Sequence, residues 1–169
     1  CGSGDFTRCV ADRVPDGHVV GLDPQPALLA EARAAAGPNQ SFVQGPVQHL
    51  GELFGDDAAF DGIYSRAAMQ WVPWPDHAGY LHQVRRLVKP GGWFRLEMGG
   101  AGNIGRVSRR LAATSQAHGG PGAPWSFPDP GQYLELLHQA GFVVDADPGA
   151  APGAIAAGQP GGDFVRSTA

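Results

Sequence analysis

The chain has 169 residues, of which 43% are hydrophobic, and its formal net charge is −4. This length and composition predict one globular domain with a core of its own. The acidic balance, with no strongly basic stretch, argues against a general nucleic-acid binder, and no apolar run reaches the ~18 residues that a membrane-spanning helix needs. The two cysteines, Cys1 and Cys9, form no Cys-x-x-Cys pattern, so we expect free thiols and a reducing, cytoplasmic setting.

The first residues, Cys1-Gly2-Ser3-Gly4-Asp5, carry the glycine pair of a nucleotide-binding loop. Glycine at these positions lets the backbone turn tightly and come close to a ligand, and a following helix points free N–H groups at that ligand. Residues 5–14 are predicted to form this helix, with Phe6, Val10 and Val14 on its packed face. No strand precedes the loop and the first residue is not Met, so the chain is a processed product or a fragment, and we expect a fragment.

Strands and helices are predicted to alternate along the rest of the chain. The predicted strands cover residues 18–22, 41–44, 61–65, 93–98 and 142–144. The predicted helices cover residues 26–36, 76–88, 103–119 and 131–140, with a short helical turn at 48–54. The turn Lys89-Pro90-Gly91-Gly92 is expected to break the helix before it, and Asn103 is the expected N-cap of the helix that carries Ile104, Val107 and Leu111.

This alternation predicts a Rossmann-like α/β fold, in which helices cover both faces of a parallel sheet. Ligands of such sheets bind outside the carboxyl ends of the strands. Several segments fall at those ends, and we expect one crevice to gather them: Cys1–Thr7, Asp23, Gln44–Val47, Ser65–Ala68 and Met98–Gly100.

At this point the chain resembles a class I S-adenosylmethionine-dependent methyltransferase. The resemblance covers about residues 1–147 and rests on four pieces in order: the glycine loop, Gly21-Leu22-Asp23, Phe60–Ser65 with Met69–Val72, and Leu87–Phe94. Residues 97–103 and 124–128 resemble the subgroup of small-molecule enzymes that includes the trans-aconitate methyltransferases. The resemblance also implies a lid-like segment at residues 103–130. Residues 148–169 are rich in Ala, Gly and Pro, and we expect a poorly ordered tail there.

The resemblance implies where the cofactor, S-adenosylmethionine, would bind. The backbone of Cys1, Gly2, Ser3 and Gly4 would approach its methionine and ribose portions. Asp23 would accept hydrogen bonds from the ribose hydroxyls, because a carboxylate offers only acceptors. The alternative is that Asp23 is a solvated residue at a strand end.

The adenine of the cofactor would lie beside Pro24 and Gln25. Relatives often carry an Asp facing the adenine amino group, and Pro46 stands at that place in this sequence. Proline has neither an acceptor side chain nor an N–H. Only the backbone of Val47 or the side chain of Gln48 is left to replace the contact.

The candidates for positioning the reacting groups are Ser65, Arg66 and Trp71. Arg66 is either a bidentate partner for an acceptor carboxylate or a surface residue at a strand end. Methyl transfer from a sulfonium depends mainly on positioning and exclusion of water, so no catalytic dyad is expected. Nor is a metal, because the histidines show no ligand spacing.

The helix after the strand at residues 93–98 carries a group of arginines, Arg106, Arg109 and Arg110. Their spacing of three and four residues places them on neighbouring helix positions. The group either attracts an anionic acceptor or is a solvated helix face.

The resemblance implies that the first strand of the sheet ends just before Cys1 and that a last strand follows Val144, and we expect both to be missing.

The function that the resemblance implies is methyl transfer to a small-molecule acceptor, with a carboxylate as one candidate, by a monomer without nucleic-acid or membrane partners. One alternative is a catalytically incompetent fragment, because a missing central strand is a large loss against a stability of ~5–15 kcal/mol. The other, a nicotinamide-dependent oxidoreductase, is disfavoured because Thr7 stands at the third glycine position of its fingerprint.

Overall fold

The computed structural model describes residues 1–55, 59–144 and 165–167. It divides into two units, Cys1–Gly55 and Asp56–Ala169, and each unit has its own sheet. Within the described residues, no helix is long and apolar enough to cross a bilayer. The same residues contain no group of three or more His, Cys, Asp or Glu side chains arranged to hold a metal ion.

The first unit alternates helices with two parallel strands. Its elements are α1 (Asp5–Ala11), β1 (Val19–Asp23), α2 (Pro26–Ala34), β2 (Gln40–Gln44), a 3₁₀ turn (Val47–His49) and α3 (Leu50–Phe54). The two strands pair from Val19 opposite Gln40 to Asp23 opposite Gln44, so their carboxyl ends lie side by side. Leu29 and Ala32 of α2 pack with Phe42 of β2 to form the core of this unit.

The packed face of α1 differs from the predicted one. The helix ends at Ala11, and its buried residues are Thr7 and Ala11, whereas Phe6 and Val14 are exposed. The reason is the close approach at Gly4, where an added Cβ would lie 3.0 Å from the Ala32 Cβ atom and 3.2 Å from the Phe42 ring. Only small side chains fit at this distance, so they face the sheet and the larger apolar residues do not.

The second unit contains the elements β3 (Phe60–Arg66), α4 (His77–Leu87), β4 (Val88–Glu97), α5 (Gly105–Ala117), α6 (Pro130–Gln139), β5 (Phe142–Val144) and β6 (Val165–Ser167). The strand order is β3-β4-β6-β5. The pair β3–β4 is parallel, and β6 runs antiparallel to both β4 and β5. This corrects the expectation that no strand follows Val144; the rest of the predicted tail, apart from β6, lies outside the described residues.

The segment Lys89–Gly92 lies inside β4 rather than between a helix and a strand. Phe60 pairs with Val88 and Gly62 pairs with Trp93, so β4 carries the extra residues as a bulge. Gly91 has φ +75°, and a Cβ on Gly92 would lie 2.7 Å from the Asp61 carbonyl oxygen. The predicted breaker therefore ends α4 and bends the strand that follows.

The core of the second unit lies between the sheet and the helices α4 and α6. Tyr80, Leu81, Val84 and Leu87 of α4 are buried, as are Tyr133 and Leu137 of α6. The sheet contributes Phe94, whose ring lies 6.1 Å from that of Tyr80 and 5.6 Å from that of Phe142.

The two helices that follow β4 begin differently. The prediction that Asn103 caps α5 is wrong, because the N-cap is Ile104, in a left-handed conformation with φ +43°, and no side chain caps the helix. Helix α6 has a side-chain cap, since Asp129 Oδ1 accepts hydrogen bonds from the N–H groups of Gly131 at 2.9 Å and Gln132 at 3.3 Å.

Candidate functional site

The carboxylate of Asp23 stands at the carboxyl end of β1 and is held by three donors. The Gly2 N–H donates to Oδ2 at 2.8 Å, and the Gln25 N–H donates to Oδ1 at 2.9 Å. The backbone nitrogen of Cys1 lies 3.0 Å from Oδ2 and 2.7 Å from the Leu22 carbonyl oxygen. The glycine loop is thus fastened to the end of β1 within the first unit.

These contacts fix the charge of Asp23. Burial by itself raises the pKa of the carboxyl, but the hydrogen bonds that it accepts, first those from the backbone N–H groups of Gln25 and Gly2, hold the pKa below its usual value. The side chain is 14% exposed. A carboxylate has about four lone-pair sites, so the three donors leave one site, on Oδ1, for an outside hydroxyl.

The two glycines of the loop have different surroundings. Gly2 has φ +58° and nothing within 4 Å of an added Cβ, so open space lies beside it. Gly4 is packed against Ala32 and Phe42, as described above, and Ser3 donates its hydroxyl hydrogen to Asp5 at 2.6 Å. Only Gly2 therefore has the free approach that the sequence predicted for both glycines.

The loop after β2 reaches the same edge of this sheet. The Gly45 N–H donates to the Asp23 carbonyl at 3.1 Å, and the His49 N–H donates to the Pro46 carbonyl at 3.2 Å. Pro24 and Gln25 are exposed, and Val47 and Gln48 are half-buried. The structure thus brings the predicted cofactor residues of the first unit to one end of its two strands.

In the second unit, Ser65 faces the core. Its side chain is buried and donates a hydrogen bond to the Tyr80 oxygen, while burial raises the pKa of Tyr80. The hydroxyl is therefore committed to α4, and only the backbone of Ser65 remains for a ligand at the end of β3.

Arg66 belongs to a charged group on the other face of β3 and β4. Glu97 accepts two hydrogen bonds from Arg95, at 2.9 and 3.2 Å, whereas Arg66 Nε lies 3.6 Å from the second Glu97 oxygen. Tyr64 also donates to Glu97, and burial together with this carboxylate raises the pKa of Tyr64 to about 12. The Arg66 side chain is 58% exposed, so the more exposed of the two arginines makes the longer ion pair.

The third positioning candidate, Trp71, stands on the surface of the second unit. It is 58% exposed, and its ring lies 5.6 Å from that of Trp125 in an edge-on arrangement. The segment 124–128 is tied down twice, because the Ser126 N–H donates to the Gln70 carbonyl at 2.8 Å and the Ala101 N–H donates to the Pro128 carbonyl at 2.9 Å. This segment therefore connects the loops that follow β3 and β4.

A family model described as "Methyltransferase domain" matches residues 1–92, which is more than half of the chain. The chain belongs to this methyltransferase family. The match includes the glycine loop, both strands of the first unit, β3 and the Lys89–Gly92 segment.

Proteins named trans-aconitate 2-methyltransferase are among the curated relatives. The chain is 38% identical over 111 residues to the trans-aconitate 2-methyltransferase of Deinococcus radiodurans, covering 66% of this chain and 39% of that enzyme. It is 32% identical over 159 residues to the trans-aconitate 2-methyltransferase of Methylobacterium radiotolerans, covering 86% of this chain and 56% of that enzyme. The chain thus spans about half the length of these relatives.

Solved methyltransferases share the fold. An S-adenosylmethionine-dependent methyltransferase from Mesorhizobium loti aligns with a TM-score of 0.64 at 23% identity, over 86% of this chain and 72% of that one. The arsenic(III) S-adenosylmethionine methyltransferase of Chlamydomonas reinhardtii aligns with a TM-score of 0.65 at 23% identity, over 83% of this chain and 48% of that one. The predicted Rossmann-like class is confirmed, and S-adenosylmethionine is the cofactor expected of this methyltransferase family.

The residues of the first unit fit that cofactor. Asp23 is ionised and keeps one free acceptor site, and the space beside Gly2 admits a ligand next to the backbone. The roles of the individual site residues stay predictions. Sequence reasoning missed Glu97 and Arg95 as neighbours of Arg66, although the pairs Tyr64/Arg66 and Arg95/Glu97 alternate along two adjacent strands, which is the pattern of side chains on one sheet face.

Proposed function

We propose that this chain transfers a methyl group from S-adenosylmethionine to a carboxylate of a small molecule. The observation that supports it most is the ionised, anchored Asp23 beside the open side of Gly2, in a chain of the methyltransferase family. The names of the two curated relatives, both trans-aconitate 2-methyltransferases, support a carboxylate acceptor.

The first unit would hold the cofactor. The free lone pair of Asp23 Oδ1 would accept a ribose hydroxyl, and the backbone at Gly2 would lie against the cofactor. Pro24, Gln25, Val47 and Gln48 would flank the adenine. When bound, S-adenosylmethionine supplies a methyl group attached to a positively charged sulfur. After the transfer, the rest of the cofactor is a neutral thioether.

The second unit would hold the acceptor. Arg66 presents a guanidinium that is 58% exposed and whose Nε atom lies 3.6 Å from Glu97, a carboxylate that also accepts hydrogen bonds from Arg95. A guanidinium pairs with a carboxylate through two parallel N–H donors. An acceptor carboxylate held in this way is ionised and therefore nucleophilic, and no base is needed to remove a proton from it.

Calorimetry with S-adenosylmethionine tests the cofactor half of the proposal. We expect Asp23→Asn to weaken binding about 10- to 100-fold, because a hydrogen bond to a charged acceptor contributes roughly 1.5–3 kcal/mol. The matched control is Asp16→Asn, an exposed acid of the same unit, which should bind like the parent chain. A chain that folds but releases no heat with the cofactor would be a catalytically incompetent fragment, and the proposal would fail.

Transfer of a labelled methyl group tests the acceptor half. Carboxylate, hydroxyl and amine acceptors of matched size are compared, and methyl esters are the expected product. Arg66→Gln should raise KM for a monocarboxylate about tenfold by loss of a charge-assisted pair, and Arg66→Lys should restore only part of the loss, since a lysine lacks the planar pair of donors. Preferential methylation of amines or hydroxyls would contradict the carboxylate assignment.

A further inference from the structure

Four polar side chains share one face of the sheet at the carboxyl ends of β3 and β4. Tyr64 lies directly opposite Arg95, and Arg66 lies directly opposite Glu97. Residues two apart in a strand point to the same face, so the four form one group, whereas Ser65 points to the opposite face and is buried there. Glu97 is the one acid of this group, and its carboxylate therefore has three polar neighbours.

The carboxylate of Glu97 is itself fixed in place. Arg95 donates to Oε1 from Nη2 at 2.9 Å and from Nε at 3.2 Å, and Tyr64 donates to the same carboxylate. The Arg95 guanidinium also lies over the Tyr64 ring, with its Cζ atom 5.5 Å from the ring centroid. The second oxygen of Glu97, Oε2, lies 3.6 Å from Arg66 Nε. A negative charge that is held by these donors therefore stands beside the Arg66 side chain.

Glu97 also fixes the backbone that follows Arg66. Its carbonyl accepts a hydrogen bond from the Ala67 N–H at 2.8 Å. Ala67 has φ +51°, a conformation that a non-glycine residue keeps only where its surroundings impose it. The Ala67 carbonyl in turn accepts a hydrogen bond from Gln70 Nε2 at 3.0 Å. Glu97 thus restrains Arg66 twice, through the backbone of the next residue and through the side chain.

From these contacts we infer that Glu97 is a positioning residue, which orients the Arg66 guanidinium toward the acceptor carboxylate. The inference rests on the proposed function and adds a residue to its acceptor site. A guanidinium is planar and its donors form a rigid fork, so a charge held beside Nε sets the direction of the terminal Nη donors. This direction matters for the rate, because a displacement of about 1 Å in a reacting group can cost about 100-fold.

A positioning role has a kinetic signature of its own. Removing the charge of Glu97 takes away a negative charge near Arg66 and leaves Arg95 without its carboxylate partner, so an acceptor carboxylate is attracted at least as strongly as before. The value of kcat should therefore fall while KM does not rise. Loss of Arg66 itself has the different effect of raising KM. A purely structural role would lower the folded fraction and leave kcat and KM of the folded chain unchanged.

Glu97→Gln tests this signature, since it keeps the shape of the side chain and the backbone contact with Ala67. In methyl transfer to a monocarboxylate, we expect kcat to fall at least about fivefold. The matched control is Asp61→Asn, which removes the 2.9 Å ion pair with Lys89 at the other end of the same two strands and should change neither constant. In an Arg66→Gln background, Glu97→Gln should change kcat by less than about twofold, because Glu97 acts through Arg66.

The NMR signal of the Arg66 Nε–H group tests the positioning without methyl transfer. The signal is identified by its loss in Arg66→Gln. Exchange of this hydrogen with water should be at least about threefold faster in Glu97→Gln than in the parent chain, and unchanged in Asp61→Asn. If Glu97→Gln does not fold, Glu97→Asp serves instead: it keeps the charge but withdraws it by one methylene, and a smaller change in the same direction is expected.

Two results would overturn the inference while the proposed function stands. One is an unchanged kcat in Glu97→Gln, and the other is an equal loss of kcat with and without Arg66. If the parent chain methylates no carboxylate, the proposed function fails and the NMR measurement decides the inference. Faster exchange at Arg66 in Glu97→Gln would then support the positioning role, and equal exchange would contradict it.

Discussion

Helices α4 and α5 have similar amphipathic sequences but very different surroundings. α4 buries His77, Tyr80, Leu81, Val84 and Leu87, whereas α5 has no buried residue at all. The apolar positions of α5 (Ile104, Val107 and Leu111) are 45–55% exposed. Periodicity therefore identifies the residues that share a helix face, but whether that face is covered depends on the rest of the fold.

The largest difference in unfolding free energy between substitutions in the two helices is expected for a matched pair of leucines. Leu81 of α4 is fully buried and Leu111 of α5 is 50% exposed. We expect Leu81→Ala to lower the free energy of unfolding by about 2–5 kcal/mol, the usual cost of a cavity, and Leu111→Ala to change it by less than about 0.5 kcal/mol. Urea denaturation of both variants gives the comparison, and similar losses would mean that α5 is packed as tightly as α4.

The next largest difference in stability is expected between substitutions near the starts of α5 and α6. Asp129→Ala removes the side-chain cap of α6 and should cost about 0.5–2 kcal/mol. Asn103→Ala should cost less than about 0.5 kcal/mol, because Asn103 does not cap α5. Thermal unfolding measures the stability of both variants. A larger loss of stability in Asn103→Ala than in Asp129→Ala would support the predicted N-cap at Asn103.

The start of α5 should accept glycine with a gain in stability. Ile104 has φ +43°, a conformation that costs a non-glycine residue roughly 1–2 kcal/mol and that glycine adopts freely. After the entropy cost of glycine, Ile104→Gly should stabilise the chain by up to about 1 kcal/mol. Val107→Gly, inside the same helix, should instead destabilise it by about 1 kcal/mol, so the two variants should differ in sign in the same unfolding experiment.

The smallest effect at neutral pH concerns His77. Burial lowers the pKa of this imidazole below 6.5, and its Nε2–H donates to the Val72 carbonyl at 3.0 Å. The unfolded chain therefore takes up a proton near pH 6.5 before the folded chain does, and stability falls as the pH drops from there toward the folded pKa.

Unfolding measured between pH 7.5 and 5 tests this dependence. His77→Gln should flatten the acid loss of stability, although it can differ from the parent by a constant amount through altered packing. The control is His118→Gln at the exposed C-cap of α5, which should keep the acid loss unchanged. An identical pH profile for the parent and His77→Gln would show that another group causes the loss.

The order of strands and helices, the end of α4 just before Lys89 and the grouping of Gly2, Asp23 and Val47 at one end of β1 and β2 could be predicted, because they follow from local patterns and from the geometry of parallel sheets. The inclusion of Lys89–Gly92 in β4 could not, because it depends on pairing with β3. The packed face of α1 could not, since it depends on how close Gly4 lies to Ala32. Nor could the commitment of Ser65 to Tyr80, which results from the position of α4. The strand β6 forms from residues far along the chain, where the local sequence is dominated by Ala, Gly and Pro.

The hydrogen bond between Ala101 and Pro128 joins the two ends of the segment that contains α5. A segment whose ends already meet can be shortened or replaced at little entropic cost to the rest of the chain. We therefore expect that residues 101–128 can be replaced by a short turn without displacing β4 or α6.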